Sequence, residues 1–408
     1  MTAPLPQPRR KNPLLATRLP LMPPGARSHT ALGLTAAAAE GRFALQVCAE
    51  CGAVQYPPRD ACVACLSPRL TWSDVAQGGE VIAETTLRVA ADPYFRQRMP
   101  WRIGTVVLDC GPSVIAHLHG DVAAGARVRM TLRLDKSGQG VMLAMPAEET
   151  PNMQDDPQLR EMTCDPRGRR VLVTDGRNAF GQAIARSVAE AGAAAVFVGV
   201  ADAWKPFPGQ QQLRAEIVPL DVTDTNSVRE LAASMGERVD ILINTALYIR
   251  PGSVLARRDT VTAREELEVS CFGAMRLAQA FGPALRFRAG DATHAACAWV
   301  NIVSAYALAA APAFGAAGAA QAAALSLALS LRNELRPLRV INALVGPLDD
   351  EWHQAVPPPK VTPAALATAV ARALRNGIED LAVGEVAQHL WALWKENPTT
   401  LARELAAG

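Results

Sequence analysis

Four cysteines carry the most specific chemistry in this sequence. They stand as Cys48, Cys51, Cys62 and Cys65 in the string C-A-E-C-G-A-V-Q-Y-P-P-R-D-A-C-V-A-C, two Cys-x-x-Cys pairs close together. A two-residue gap lets both thiolates of a pair face one point, and two pairs supply the tetrahedral sulfur shell that Zn²⁺ prefers. Four protein ligands leave no position for water or substrate, so the spacing predicts a closed structural zinc site. The same spacing allows a redox dithiol, a rubredoxin-like iron, or a ribbon that has lost its metal. Cys110, Cys164, Cys271 and Cys297 are scattered and read as buried free thiols.

A second constellation occupies residues 300–335, V-N-I-V-S-A-Y-A-L-A-A-A-P-A-F-G-A-A-G-A-A-Q-A-A-A-L-S-L-A-L-S-L-R-N-E-L. It resembles the catalytic core of the short-chain dehydrogenase/reductase family, where a strand ends in a catalytic Ser and a later helix carries Tyr-x-x-x-Lys. Ser304 matches the serine, but Ala317 stands at the tyrosine place and Gln321 at the lysine place. The string E-L-E-V-S-C-F-G-A puts Ser270 where the family has a structural and proton-relay Asn. Hydride transfer to or from a carbinol needs a group that moves the hydroxyl proton in step, and a Tyr beside a Lys ammonium does this. Ala317 has no proton to give and Gln321 is neutral. General acid–base catalysis is typically worth roughly a hundred- to ten-thousandfold, so a dehydrogenase built on this site is expected to be very slow. Tyr306 and Tyr248 could in principle donate instead, but both read as packed aromatics.

The nucleotide loop departs from the same family in the same sense. R-R-V-L-V-T-D-G-R-N-A-F-G-Q-A-I-A reads as strand, loop and helix. The family has Thr-Gly-x-x-x-Gly-x-Gly here, with glycines that let the backbone close on a pyrophosphate at the helix N-terminus. Aligned on Thr174, the first glycine is Asp175 and the second is Ala179; only Gly181 remains, with Gly176 one place out of step. A carboxylate near a diphosphate repels it by roughly 4 kcal/mol per unit charge at about 4 Å and an effective dielectric near 20, less if Asp175 turns outward. Asp221 in L-D-V-T-D at the adenine side and Asn244 in I-L-I-N-T-A complete a vestigial cofactor set of Gly176, Gly181, Asp221 and Asn244. NAD(P) binding is therefore expected to be weak or absent.

These residues need elements to hold them. With 408 residues the chain is too long for one ordinary domain. A formal net charge of +2 calls for neither nucleic acid nor an anionic membrane. Residues 1–27, with Arg9, Arg10, Lys11 and many prolines, read as a flexible arm with no apolar segment or cleavage site, so a cytoplasmic location is expected. The uncharged run 305–331 is mostly Ala, interrupted by Pro312, Gly315 and Gly318, and reads as a buried helix and not a membrane span.

Residues 28–41 read as a short helix with Ser28 as N-cap, followed by the ribbon to residue 74. Alternating runs at 80–87, 103–110, 113–119, 126–134 and 140–145, separated by Gly-rich turns, predict a small antiparallel barrel over 75–147. Helix, ribbon and five strands, with Y-P-P-R-x-x-C-x-x-C and P-W-R-I-G-T-V-V-L-D, resemble the acyl-CoA-associated OB-fold proteins with a rubredoxin-like ribbon. Residues 148–168 read as a polar linker, and 169–408 as an α/β doubly wound, Rossmann-like domain of the degenerate dehydrogenase type.

The first resemblance implies an accessory subunit of a thiolase-like acyltransferase, with a CoA thioester at the partner interface. The second, with G-V-A-D-A-W-K-P-F-P-G, is similar to the non-catalytic member of dehydrogenase pairs in benzylsuccinate-type β-oxidation. It implies docking on a catalytic short-chain dehydrogenase or on a second copy of itself, with the small residues Ala313, Ala316, Ala317, Ala320 and Ala324 permitting close approach. Arg96, Arg98 and Arg102, beside Tyr94, Phe95 and Trp101, could meet CoA phosphates or a partner, or form an ordinary exposed loop. The expected function is thus a non-catalytic scaffold in acyl-CoA β-oxidation. The alternatives are an unorthodox NAD(P)-dependent reductase and a single-strand nucleic-acid binder, the latter requiring a basic groove with spread aromatics.

Overall fold

The computed structural model describes residues 21–25 and 28–407, apart from 155, 295 and 310. The arm assigned to 1–27 lies, but for 21–25, outside the described residues. Ser28 does precede the first helical turn, but its side chain makes no capping bond.

Helix α1 (Leu32–Ala39) leads into a small antiparallel sheet of β1 (Ala44–Cys48), β2 (Val54–Gln55) and β3 (Leu70–Asp74), with β1 in the middle. The barrel follows: β4 (Gly78–Leu87), the single turn α2 (Pro93–Arg96), β5 (Trp101–Leu108), β6 (Ser113–Leu118), β7 (Arg127–Leu134) and β8 (Gly140–Pro146). Strand alternation fills its interior: Val114, Ala116 and Leu118 point in from β6, and Val128, Met130, Leu132 and Leu134 from β7, with Leu34, Ala37 and Ala38 of α1 closing one end. The order β4-β5-β6-β8-β7 closes on itself, and one pairing departs from the antiparallel expectation, since β6 runs parallel to β8. Closing five strands with β8 passing between β6 and β7 forces that pair to share direction.

The stretch read as a linker is folded. Helix α3 (Pro157–Met162) buries Gln158, Leu159, Glu161 and Met162. The Gln158 amide accepts from Arg102 N–H (2.8 Å) and donates to its carbonyl (2.9 Å), extending the β5 ladder with a side chain. Glu161 pairs with buried Arg98 at 2.7 Å and accepts from the Tyr94 hydroxyl at 2.9 Å. A local polarity scan reads Glu161 and Gln158 as solvated because their partners lie tens of residues away.

The second domain contains β9 (Arg170–Val173), α4 (Ala179–Glu190), β10 (Ala195–Val200), β11 (Glu216–Pro219), α5 (Thr225–Met235), β12 (Ile241–Asn244), α6 (Val261–Leu267), α7 (Ala274–Gly290), β13 (Ala298–Ser304), α8 (Gly315–Glu334), β14 (Arg339–Val345), α9 (Pro363–Asn376), β15 (Asp380–Val383), α10 (Glu385–Glu396) and α11 (Pro398–Ala407). The sheet is parallel in the order β11-β10-β9-β12-β13-β14-β15, with the order reversing between β9 and β12. Every residue of β13 and β14 is buried, as expected for apolar strands covered on both faces. Strand β15 was not foreseen, because four residues between two helices give almost no periodicity. Among the described residues one helix, Pro312–Glu334, is long and apolar enough to cross a membrane by length and composition; it packs here against β13, β14 and α6.

The two domains meet along a polar, buried seam. Arg339, at the start of β14, donates to Leu134 O of the barrel (2.9 Å), to Gly377 O (3.2 Å) and to Glu379 (2.9 Å). Glu379 N–H in turn bonds Ala39 O of α1 at 2.9 Å. Gly377 ends α9 at φ 64°, where a Cβ would stand 2.3 Å from Met162 O, so only glycine lets α3 approach. Burial holds the Glu379 carboxyl above its ordinary range, opposed by Arg339 and Arg332. Removing one partner of a buried pair strands the other charge, and Glu379→Ala is expected to lower stability by about 3–5 kcal/mol, read from the midpoint of urea denaturation.

Candidate functional site

The ribbon cysteines sit on two similar turns. Cys48 ends β1, and Gly52 at φ 73° turns the chain so that its N–H reaches Cys48 O (2.9 Å). The second turn repeats this bond from Leu66 N–H to Cys62 O (3.0 Å), with Leu66 at φ 63°. The sulfurs of Cys48, Cys51, Cys62 and Cys65 lie within 4.8 Å of one another, with Cys48 to Cys65 and Cys51 to Cys62 both 3.6 Å. A tetrahedron with Zn–S near 2.3 Å needs sulfurs about 3.8 Å apart, so the residues fit a zinc ion with no further ligand. The N–H groups of Cys65 and Ala64 lower the pKa of the Cys62 thiol, while the neighbouring sulfurs raise that of Cys65, so the four thiols titrate as a linked set. The turns are stitched by two buried glutamines that sequence reading missed. Gln46 Oε1 accepts from Arg59 N–H and Gln55 Nε2, and Gln55 Oε1 accepts from Val63 N–H. Their signal was present, since two inward polar residues face each other across β1 and β2.

The degenerate catalytic positions come together at the C-terminal ends of the central strands. Ser270 lies in residues 268–273, where the helix between α6 and α7 widens to π geometry, a distortion common at functional sites. The Gln321 amide lies between the two serines: Nε2 donates to Ser270 Oγ (2.9 Å) and Oε1 accepts from Ser304 N–H (2.9 Å). Ser304 Oγ accepts from Tyr306 N–H, capping the turn after β13. Ala317 is 1% exposed, packed with Ile249, Tyr306 and Phe314. The site thus keeps a linked hydrogen-bond network in which no member titrates near neutral pH.

Neither candidate replacement donor suits the task. Tyr306 stacks on Phe314 at 4.8 Å and on His353 at 6.2 Å, and burial pushes its phenol up to about 12, opposite to what a relay tyrosine needs. The Tyr248 hydroxyl donates to Glu265 at 2.9 Å, and the Arg250 guanidinium lies over its ring.

At the nucleotide loop, Asp175 turns inward. Its carboxylate accepts from Arg177 N–H (2.9 Å) and Asn178 Nδ2 (2.7 Å), while Asn178 Oδ1 accepts from Gly181 N–H (2.6 Å) at the start of α4. Burial raises the Asp175 carboxyl above its ordinary range, opposed by these donors. Two backbone amides around the start of α4, those of Arg177 and Gly181, are thereby engaged by the protein's own side chains. Gly176 and Gly181 are packing requirements: an added Cβ would stand 1.9 Å from Val198 Cγ1 and 1.8 Å from Asp175 O, respectively. Asp221 accepts from Thr223 in a local turn, and Asn244 ties β12 to β9 through Thr174 Oγ1 at 2.9 Å. Arg177 reaches Asp202 just beyond β10, across the edge where an adenosine would lie. In front of α4 a cavity of about 350 Å³ is lined by Asp349, Asp350 and Glu351 against a single cation, Arg250.

Comparison with known proteins matches part of each domain. Residues 169–358 match the short chain dehydrogenase family, residues 35–71 the ChsH2 rubredoxin-like zinc ribbon domain, and residues 72–133 the ChsH2 C-terminal OB-fold domain. The chain joins ChsH2-type ribbon and OB-fold domains to a short-chain dehydrogenase domain. A short-chain dehydrogenase from Burkholderia cenocepacia J2315, crystallised with NADP, is 30% identical over 59% of this chain and 98% of its own, with a TM-score of 0.52. A short-chain dehydrogenase from Streptomyces avermitilis is 24% identical over 59% of this chain and 97% of its own, with a TM-score of 0.49. The L-fucose dehydrogenase of Rattus norvegicus is 29% identical over 127 residues, which is 30% of this chain and 47% of that enzyme, about half its length. The ChsH2-type and dehydrogenase domains support a β-oxidation-related or short-chain dehydrogenase role, and four-cysteine geometry supports zinc.

Two outcomes follow. Elemental analysis of the purified chain is expected to find zinc, and Cys62→Ser to lose it. Titration with NADPH is expected to show tighter binding by Asp175→Gly than by the parent chain, by up to about a thousandfold if the full repulsion of roughly 4 kcal/mol is relieved.

Proposed function

We propose that this chain is a non-catalytic subunit of an acyl-CoA β-oxidation assembly, binding a thiolase-like acyltransferase through its OB-fold and ribbon and a catalytic short-chain dehydrogenase, or a second copy of itself, through its dehydrogenase domain. The observation that carries the reading is the Gln321 amide locked between Ser270 and Ser304, with Ala317 buried where the proton donor belongs. A neutral amide with both ends bonded neither lowers a neighbour's pKa nor moves a proton.

The surface available for a dehydrogenase partner differs from the one expected of small residues. Ala317 and Ala320 face inward and are buried, Ala316 and Ala324 are half-buried, and only Ala313 is exposed. Phe272, Met275 and Phe287, along α7 and its leading turn, are exposed together with Leu329 of α8, with Phe287 at 68%. Bulky apolar side chains on an outer helix face favour burial against a partner. A CoA thioester belongs in this reading to the interface with the acyltransferase.

In the loop 92–102 the three arginines are engaged within the chain itself. Arg98 is buried on Glu161, Arg102 donates to Glu84 and to the His119, Gly120 and Val122 carbonyls, and Arg96 donates to Ala90 and Ala91. Tyr94 and Trp101 are buried, so they offer no platform on which bases could stack.

A second reading, a reductase acting alone, draws on the likeness to the NADP-bound Burkholderia dehydrogenase. Kinetics separates the two. The chain alone is expected to oxidise a 3-hydroxyacyl-CoA at least about a hundredfold more slowly than the same chain with its dehydrogenase partner; an ordinary enzymatic rate without a companion would overturn the accessory role. Affinity purification from the native host, followed by mass spectrometry, is expected to recover a thiolase and a dehydrogenase.

A further inference from the structure

The seam between the domains contains a cleft of about 270 Å³ lined by Arg129 and Arg133 of β7 and Arg372 and Asn376 of α9, with Glu40 as its one carboxylate. Strand alternation puts Arg129, Thr131 and Arg133 on one side of β7, and the helical spacing of Arg372 and Asn376 brings both to the face opposite. Both oxygens of Glu40 are engaged, one by Lys395 at 2.7 Å and the other by Arg42 at 3.4 Å. Arg133 is 8% exposed and bonds Asn376 Oδ1 at 3.1 Å, but its buried Nε–H has no acceptor. Among the described residues neither Arg129 nor Arg372 has a side-chain hydrogen bond or ion pair. Burial first, and then the charges of Arg129 and Arg339, push the Arg133 guanidinium down to about 10, with no carboxylate acting in the other direction.

A buried cation without a counter-charge is costly, and natural structures pair it. Three guanidinium groups present planar donor forks suited to an oxyanion. A single carboxylate would leave the excess positive charge largely unbalanced, whereas a phosphate group brings up to two charges and enough acceptors for all three. We propose that Arg129, Arg133 and Arg372 form a phosphate-binding site that bridges the barrel and the dehydrogenase domain. The site is distinct from the degenerate nucleotide loop and stands whether or not the accessory role does. Occupancy joins β7 to α9, so the phosphate stabilises the seam as well as filling it.

The full chain is the test material, with inorganic phosphate as the probe. Arg129→Gln and Arg372→Gln alter exposed side chains without partners, so both variants are expected to fold. Phosphate is expected to raise the thermal midpoint of the parent chain saturably, and each variant to weaken binding about tenfold. Absence of saturable binding up to about 10 mM phosphate, or equal binding by parent and both variants, would overturn the site. Competition by CoA, with dephospho-CoA about tenfold weaker, would assign the group to a nucleotide 3′-phosphate. Equal and poor competition by both would assign it to free phosphate, and either result supports the site.

Discussion

The arrangement of this molecule depends on one buried guanidinium. Arg339 starts β14, the strand next to the sheet edge, yet it reaches out of its own domain to a carbonyl of the barrel while bonding Glu379 ahead of β15. Burying such a pair carries a desolvation penalty that its attraction need not exceed, so its contribution is best understood as register. Only one docking of the barrel satisfies Leu134 O, Gly377 O and Glu379 at once. The close approach of α3 at Gly377 and the bond from Cys164 N–H to Leu374 O reinforce the same docking. The barrel and the dehydrogenase domain therefore form one continuous body and not two modules on a tether. Partners bound to each would be held at a set distance and angle.

The dehydrogenase domain closes its own polar network at the places where the family resemblance expects proton-transfer groups. The tyrosine and lysine places lie in a packed region where an ordinary deletion of function would leave a cavity or an unpaired polar group. Ala317 is accommodated by Tyr306 and Phe314 closing around it. Gln321 replaces a cation by an amide that has one donor and one acceptor for the two groups facing it. At the nucleotide loop the equivalent substitution is Asp175, whose carboxylate takes up donors at the start of α4. Both side chains bond within the chain. The outcome is a polar network satisfied by its own side chains.

The metal ligands, the barrel strands and the doubly wound domain were legible in the sequence because each rests on local spacing. Cys-x-x-Cys geometry is set by two intervening residues, the inward residues of β6 and β7 alternate along the chain, and buried parallel strands announce themselves as apolar runs. The losses at Ala317 and Gln321 were legible for the same reason, since an absent hydroxyl or ammonium needs no fold to be noticed.

Tertiary structure alone decided where the polar groups between these elements turn. Gln158 completing the β5 ladder, Glu161 neutralising Arg98 and the cleft of Arg129, Arg133 and Arg372 all join residues far apart in sequence or on different domains. Long polar side chains such as these carry no periodic signal, and their partners are chosen by packing geometry and local dielectric. The identity of each residue set which proton-transfer groups stand at the family's catalytic places; only the folded seam settled which charges were paired and which were left open.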